Sequence, residues 1–132
     1  MVLVDTSIWI EYAGPRPGRS AARLDELVIA GTPFAIAPVI LQEVLQGARS
    51  AKEFQRLQKN LTTQRFLYPL DPLGTYIAAA DIYVKCRRAG VTIRSTIDCL
   101  IAQIAIENGA ALLHNDTDYD RMARVVPELA IH

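Results

Sequence analysis

The chain has 132 residues, 51% of them hydrophobic and 21% charged, which fits one domain of the commonest size. That composition excludes a disordered chain, which could not bury enough apolar surface to offset the entropy of ordering. Fourteen basic residues balance fourteen acidic ones for a formal net charge of zero, which excludes a nucleic-acid binder working through bulk positive charge.

No apolar run approaches the roughly 18 residues of a membrane span. The opening MVLVDTSIWIEYA has no positive region and meets Asp5 almost at once, unlike a secretory signal. A cytoplasmic protein with no membrane association is expected. Cys86 and Cys99 are then two packed thiols rather than a disulfide or a zinc site, because only His114 and His132 could complete a metal-ligand set.

The chain alternates short strand-like runs with helical patterns, and no repeat or linker divides residues 1–132. Met1 to Val4 is a continuous apolar run, as expected of a strand buried on both faces. Ser7 to Ala13 reads as a short helix ended by Gly14-Pro15, followed by the turn GPRPG. Ser20 then caps a helix carrying Leu24, Leu27 and Val28 on one face, with Gly31 at its end. Pro33 to Ala37 reads as a second strand, and Pro38 suits the first turn of a helix to Gln46.

Ser50 and Glu53 fit a capping box opening a helix to Leu61, and Phe66 to Tyr68 reads as a short strand. Pro72 to Ala89 is a long helix stopped by Gly90. Thr96 caps another that Gly109 stops. Ala111 to His114 is strand-like, a helix covers 118–125, and Leu129 to Ile131 reads as an edge strand. This βαβ alternation implies an α/β fold with a mostly parallel sheet covered by helices.

Ten of the fourteen acids suit polar helix faces, turns and the acidic DTDYD run. Four stand in apolar context: Asp5 in VLVDTSIWI, Glu43 in PVILQEVLQG, Asp98 in TIDCLIAQIAI, and Asp116 after ALLH. Each could serve locally, Asp5 and Asp116 as helix caps, Asp98 at a helix N-terminus, Glu43 facing solvent. Sites in parallel sheets form at the carboxyl ends of strands, and all four acids can reach such a rim. Pooled carboxylates repel, so a cation must hold them together, and all-oxygen ligands select Mg²⁺ or Mn²⁺. Its open coordination positions suit a phosphate and an attacking water, which favours phosphodiester hydrolysis. With those four pooled, fourteen bases face the ten remaining acids.

The segments VLVDTSIWIEY, IAPVILQEVLQGA, RSTIDCLIAQIAIENGAALLHND and DTDYDRMA resemble the PIN-domain family, and within it the VapC toxins of type II toxin–antitoxin systems. The resemblance covers essentially the whole chain. It implies a three-layer α/β/α sandwich around a parallel sheet and a Mg²⁺- or Mn²⁺-dependent endoribonuclease. It places the family's four acids on Asp5, Glu43, Asp98 and Asp116, with Asp5 and Asp98 holding the primary metal. Thr6 or Ser7 could support Asp5 from behind, and Asp118 could assist through water or simply open the last short helix. His114-Asn115 stands where relatives often have Thr or Ser followed by Arg, so His114 either touches substrate or merely ends its strand. The implied partners are an RNA substrate, a small antitoxin and a second copy of the chain, for which apolar surface around Trp9, Ile10 and Tyr12 would serve.

Arg87, Arg88 and Arg94 precede Asp98 and could flank the rim to bind RNA, whereas Lys52, Arg56 and Lys59 read better as a solvated helix face. Ser7 stands where an aspartyl-phosphate phosphatase needs its second Asp, which counts against that class. A calcium loop over Asp116, Asp118 and Asp120 is excluded because Arg121 and Pro127 occupy its Gly and Glu positions. The alternative function is a non-catalytic module that keeps the fold and acts by binding a partner or RNA.

Overall fold

In the computed structural model, which describes residues 1–15 and 18–132, the apolar opening forms β1 (Val2–Val4). Side chains alternate along a strand, so Val2 and Val4 face one side of the sheet and Leu3 the other. All three are buried, and both faces are therefore covered. β1 is central, flanked by β2 (Phe34–Ala35) and β3 (Ala111–Leu113) in the order β2-β1-β3. Both pairings are parallel, with Val2 opposite Phe34 and Ala111, and Val4 opposite Leu113.

The strands expected at 66–68 and 129–131 reduce to single parallel bridges, Ile36 with Phe66 and Leu112 with Ile131. The Leu67 N–H still donates to the Ile36 carbonyl at 2.9 Å, but Pro38 begins a helix two residues beyond Ile36, so the ladder ends there. At the other edge, the Leu129 N–H still closes a turn on the Val126 carbonyl at 3.0 Å. Contact with β3 is therefore confined to the two bonds around Ile131, Leu112 N–H to the Ala130 carbonyl and His132 N–H to the Leu112 carbonyl.

Seven helices complete the described fold: α1 (Thr6–Ala13), α2 (Arg19–Ala30), α3 (Pro38–Gln46), α4 (Ala51–Leu61), α5 (Gly74–Arg88), α6 (Thr96–Glu107) and α7 (Thr117–Val125). Pro38 sits in the first turn of α3 as expected. Gly31 ends α2 at φ 67° and Gly109 follows α6 at φ 64°, a backbone region that a side chain disfavours. Residues 16 and 17 of the expected GPRPG turn lie outside the described residues.

Local signals misplace several details. α2 starts one residue before Ser20, with Gly18 as its cap, and Ser20 is buried inside the helix. Its buried stripe is Ser20, Ala21, Leu24 and Leu27. Val28, rotated about 100° beyond Leu27, is 58% exposed. α6 is capped by Ser95, whose Oγ accepts from the Ile97 N–H at 3.3 Å, with Thr96 the first helical residue. α5 begins at Gly74 rather than Pro72, because Asp71 Oδ1 accepts from the N–H groups of Leu73 and Gly74 in a preceding turn. The capping box at α4 is half made: Ser50 Oγ accepts from the Glu53 N–H at 3.1 Å, while Glu53 turns its carboxylate to Arg49 at 3.5 Å.

The core gathers the sheet with Ile8, Leu24, Ile40, Ile101 and Ile104. Cys86 and Cys99 are buried free thiols, and burial pushes Cys99 up to about 12, so it packs without reacting. Trp9 is buried as well, its indole N–H donating to the Val4 carbonyl at 3.0 Å. It therefore belongs to the core, leaving Ile10 and Tyr12 as the exposed apolar residues of that surface. Among the described residues no helix is long and apolar enough to cross a membrane.

Candidate active site

From β1 the chain first adds β2 on one side, then later β3 on the other. The crevice between the carboxyl ends of β1 and β3 is thus a topological switch point, where open parallel sheets bind ligands. The Asp5 N–H donates to the Leu113 carbonyl at 2.9 Å, pinning the two strand ends together.

Asp5 is buried and plays two parts. Its Oδ2 caps α1, accepting from the Ser7 N–H at 3.1 Å and the Ser7 hydroxyl at 2.6 Å. Its Oδ1 accepts from the Tyr119 hydroxyl at 2.9 Å. Ser7 Oγ in turn accepts from the Asn115 N–H at 3.1 Å, so one serine ties the end of β1 to the loop after β3. Ser7 supports Asp5 as expected. Thr6 does not: its hydroxyl donates to Glu43 Oε1 at 2.6 Å. The Asp5 cap turn points the residue two positions on, Ser7, back at the carboxylate, and leaves Thr6 to face α3.

Asp98 lies in the first turn of α6, its Oδ1 3.3 Å from the same Tyr119 oxygen. One phenolic proton thus lies between two carboxylates. Burial first, then the charges of Asp5 and Asp116, raise Asp98 to about 7, with Glu43 adding to the effect and Tyr119 opposing it. Burial, with Asp5 and Asp98 beside it, pushes the Tyr119 phenol far up, so it is a neutral donor. Sequence reasoning missed Tyr119. Its signal is an aromatic residue inside the otherwise acidic DTDYD run.

Asp116 caps α7, its Oδ1 accepting from the Asp118 N–H at 2.9 Å and from Arg94 Nη2 at 3.0 Å. Asp98, Asp116 and Asp118 each offer a ligand atom within 4.8 Å of the others. Asp118 is nonetheless committed elsewhere. It is 1% exposed, its Oδ2 takes Arg94 Nε at 3.0 Å, and its Oδ1 lies 3.1 Å from Arg121 Nη2. Burial alone would raise it, but the Arg94 hydrogen bonds and the two arginine charges hold it below the ordinary range.

His114 is buried at the end of β3, where its Nδ1 accepts from the Asp116 N–H at 3.0 Å. Its carbonyl takes Arg23 Nη1 at 2.9 Å, and its ring packs at 5.0 Å from the Tyr119 ring. It ends its strand and also steadies two site residues. Of the three arginines expected at the rim, only Arg94 touches an acid of the site. Arg87 and Arg88 lie exposed in the last turn of α5, Arg87 over the Tyr83 ring at 5.9 Å.

The fold brings Asp5 and Asp98 onto one phenol, with Asp116 and Glu43 near enough for their charges to act on Asp98. Among the described residues, no lysine or arginine forms an ion pair with Asp5, Glu43 or Asp98; the site's arginines sit on Asp116 and Asp118. A partly buried, all-oxygen donor set, with Asp5, Glu43 and Asp98 lacking a basic partner among the described residues, fits a hard divalent cation and nothing softer.

A parallel α/β fold with a carboxylate rim at its switch point defines a recognisable class. The PIN domain model matches residues 2–125, and the chain belongs to the PIN-domain family. Within that family it is VapC-like. It is 36% identical over 126 residues to the VapC ribonuclease Mb1587 of Mycobacterium bovis, covering 95% of this chain and 93% of that protein. It is 29% identical over 127 residues to Ribonuclease VapC4 of Mycobacterium tuberculosis, covering 93% and 92%. Two solved structures share the fold. VapBC2 from Rickettsia felis, bound to a fragment of its promoter DNA, matches with a TM-score of 0.76 at 19% identity, covering 100% of this chain and 98% of that one. FitAcB from Neisseria gonorrhoeae matches with a TM-score of 0.74 at 21% identity, covering 99% and 96%.

Proposed function

We propose that this protein is a Mg²⁺- or Mn²⁺-dependent endoribonuclease, the toxin of a type II toxin–antitoxin pair. The observation that carries the reading is the gathering of Asp5 and Asp98 on one Tyr119 hydroxyl, without a basic side chain paired to either. Such an arrangement is costly unless a cation neutralises it. The relatives named ribonucleases and the solved toxin–antitoxin complexes support the substrate class and the partner.

In this reading Asp5 and Asp98 hold the principal cation, and Glu43 and Asp116 complete the cluster. When bound, the cation supplies Lewis-acid activation of water and stabilises charge developing on the phosphate. The chain's own residues orient the ligands. Ser7 and Tyr119 fix the two oxygens of Asp5, Thr6 fixes Glu43, and His114 fixes the backbone of Asp116. The site's hydroxyls, on Thr6, Ser7 and Tyr119, are each engaged as donors to a carboxylate, so water is the nucleophile and hydrolysis proceeds without a covalent enzyme intermediate.

The antitoxin and a second copy of the chain are the proposed protein partners, and the exposed Ile10 and Tyr12 suit an apolar contact. The test is RNA cleavage read by 5′-end sequencing, with Mn²⁺ binding measured separately by calorimetry. The expected result is metal-dependent cleavage by the wild type and its loss in Asp5→Asn and Asp98→Asn. Near wild-type cleavage by both variants overturns the assignment, and binding of RNA without cleavage favours the non-catalytic module.

A further inference from the structure

Arg94 is an exposed arm anchored on a buried acid. Its side chain is 70% exposed, yet it makes two ion pairs with the site. Nε lies 3.0 Å from Asp118 Oδ2, and the Arg94 backbone N–H lies 3.3 Å from that same oxygen. Nη2 lies 3.0 Å from Asp116 Oδ1. These contacts are unequal. Asp118 is enclosed, and its Oδ2 takes both the Nε and the backbone N–H of Arg94, so the Nε end has a fixed partner. Its Oδ1 lies 3.1 Å from Arg121 Nη2 without a hydrogen bond. Asp116 is partly exposed and belongs to the group of oxygens that can take up a cation.

A guanidinium presents five N–H donors in a rigid fork. It can keep Nε on one carboxylate while its outer edge meets another oxyanion. A lysine would have to serve both from one ammonium, without the fixed, separated edges of the guanidinium. A cation taken up by Asp116 removes the negative charge that draws Nη2 there, and frees that edge at the mouth of the site.

We propose that Arg94 is the residue that grips the RNA phosphate at the reacting centre, with buried Asp118 as its positioning residue. Its Nη2 edge passes from Asp116 to a phosphate oxygen when Asp116 takes up a divalent cation. The metal-free protein thus carries its own counter-ion, and the same side chain becomes a substrate contact in the loaded one. No covalent bond forms or breaks in this exchange. It rests on the metal-dependent nuclease reading above, and it gives a role to the Arg94 pair of Asp118, an acid in the cluster.

The experiment pairs calorimetric titration of Mn²⁺ into metal-free protein with single-turnover cleavage, at saturating Mn²⁺, of an RNA containing a site mapped for the wild type. Arg94→Ala is expected to bind Mn²⁺ more tightly, by up to about fivefold, because the ion no longer displaces a surface ion pair. Its cleavage is expected to fall by about 10²-fold or more, the scale of losing one charge-stabilising donor. Arg94→Lys should recover little of that loss. Asp118→Asn should slow cleavage beside Arg94 and cost nothing further beside Arg94→Ala, since coupled positions are not additive.

Weaker Mn²⁺ binding by Arg94→Ala, or cleavage equal to wild type, overturns the proposal. An equal loss from Asp118→Asn in both backgrounds overturns the positioning role. A wild type that neither binds Mn²⁺ nor cleaves RNA overturns the nuclease reading itself, a result distinguishable from an active wild type with an active Arg94→Ala.

Discussion

Tyr119 donates its hydroxyl to Asp5 Oδ1 at 2.9 Å across 114 residues of sequence. The same oxygen lies 3.3 Å from Asp98 Oδ1, so one proton lies between a buried acid and a half-buried one. With Asp98 protonated, the chain of hydrogen bonds is complete, running from Asp98 to Tyr119 to Asp5. With Asp98 ionised, one carboxylate lacks a donor, and a cation must take its place.

Removing that phenolic oxygen leaves the ring but unlinks the acids. Tyr119→Phe is expected to keep the fold and to lose about 1 kcal/mol for the missing hydrogen bond, roughly 4 °C in a domain of this size. Cleavage is expected to drop by about 10–100-fold, the usual effect of losing a group that orients metal ligands. Thermal melts and RNA cleavage check both numbers. A variant as stable and as active as wild type removes Tyr119 from the site.

The raised Asp98 makes the metal-free protein sensitive to pH in a definite direction. Its carboxyl titrates near the ordinary value of about 3.9 when unfolded and at about 7 when folded. The folded state therefore holds the extra proton between those values. Stability from this group is full below about pH 4 and is lost as pH rises through 7. The melting temperature of metal-free protein is expected to fall between pH 5 and pH 8. Asp98→Asn should flatten that slope and raise the melting temperature at pH 8, by roughly 4 °C per kcal/mol recovered. Added Mn²⁺ should stabilise the wild type most at the higher pH, where it no longer competes with a proton.

Thr6 acts on Glu43 rather than on its neighbour in sequence. Thr6→Val keeps the shape and removes the donor 2.6 Å from Glu43 Oε1. Cleavage is expected to fall by about tenfold, with the loss appearing in the dependence on metal concentration. Combined with Glu43→Gln, the threonine change should add nothing further. Independent losses from the two changes contradict the pairing.

His114 holds Asp116 through a ring nitrogen that accepts a backbone N–H. An asparagine carbonyl can accept the same bond, whereas phenylalanine fills the space without accepting it. His114→Asn is expected to retain cleavage within about threefold of wild type, and His114→Phe to weaken metal binding by about tenfold. Mn²⁺ titration of the two variants makes the comparison. Equal metal affinity in both contradicts the role.

The elements with local signatures are legible in the sequence. The apolar run before Asp5, Pro38 opening α3, and Gly31 and Gly109 ending α2 and α6 each act through a few neighbouring residues. The four acids are legible for a related reason, since a carboxylate in an apolar run has a cost that sequence alone reveals. What escaped depends on partners far away in the chain. Whether Phe66 and Ile131 extend into strands is decided by how long β2 and β3 remain straight. Tyr119 looks like an ordinary helix residue until Asp5 and Asp98 arrive from other elements. Thr6 and Ser7 are adjacent and chemically alike, and only the turn at Asp5 decides which of them faces which acid. The caps of α2 and α6 fell one or two residues from the hydroxyls expected, because Gly18 and Ser95 satisfy those first turns.

Asp5 does two jobs with its two oxygens, one opening α1 and one serving the site. Loss of activity and loss of the fold are therefore entangled at this position. A change to Ala or Val abolishes the cap as well as the ligand, and capping alone is worth about 1 kcal/mol. Asn retains a carbonyl oxygen for Ser7 while giving up the charge. Selection for cells that survive an unrestrained copy of this chain should accordingly split into two populations at position 5. Asparagine revertants would accumulate as intact, inert protein still able to occupy a partner, and most other substitutions would be cleared by proteolysis.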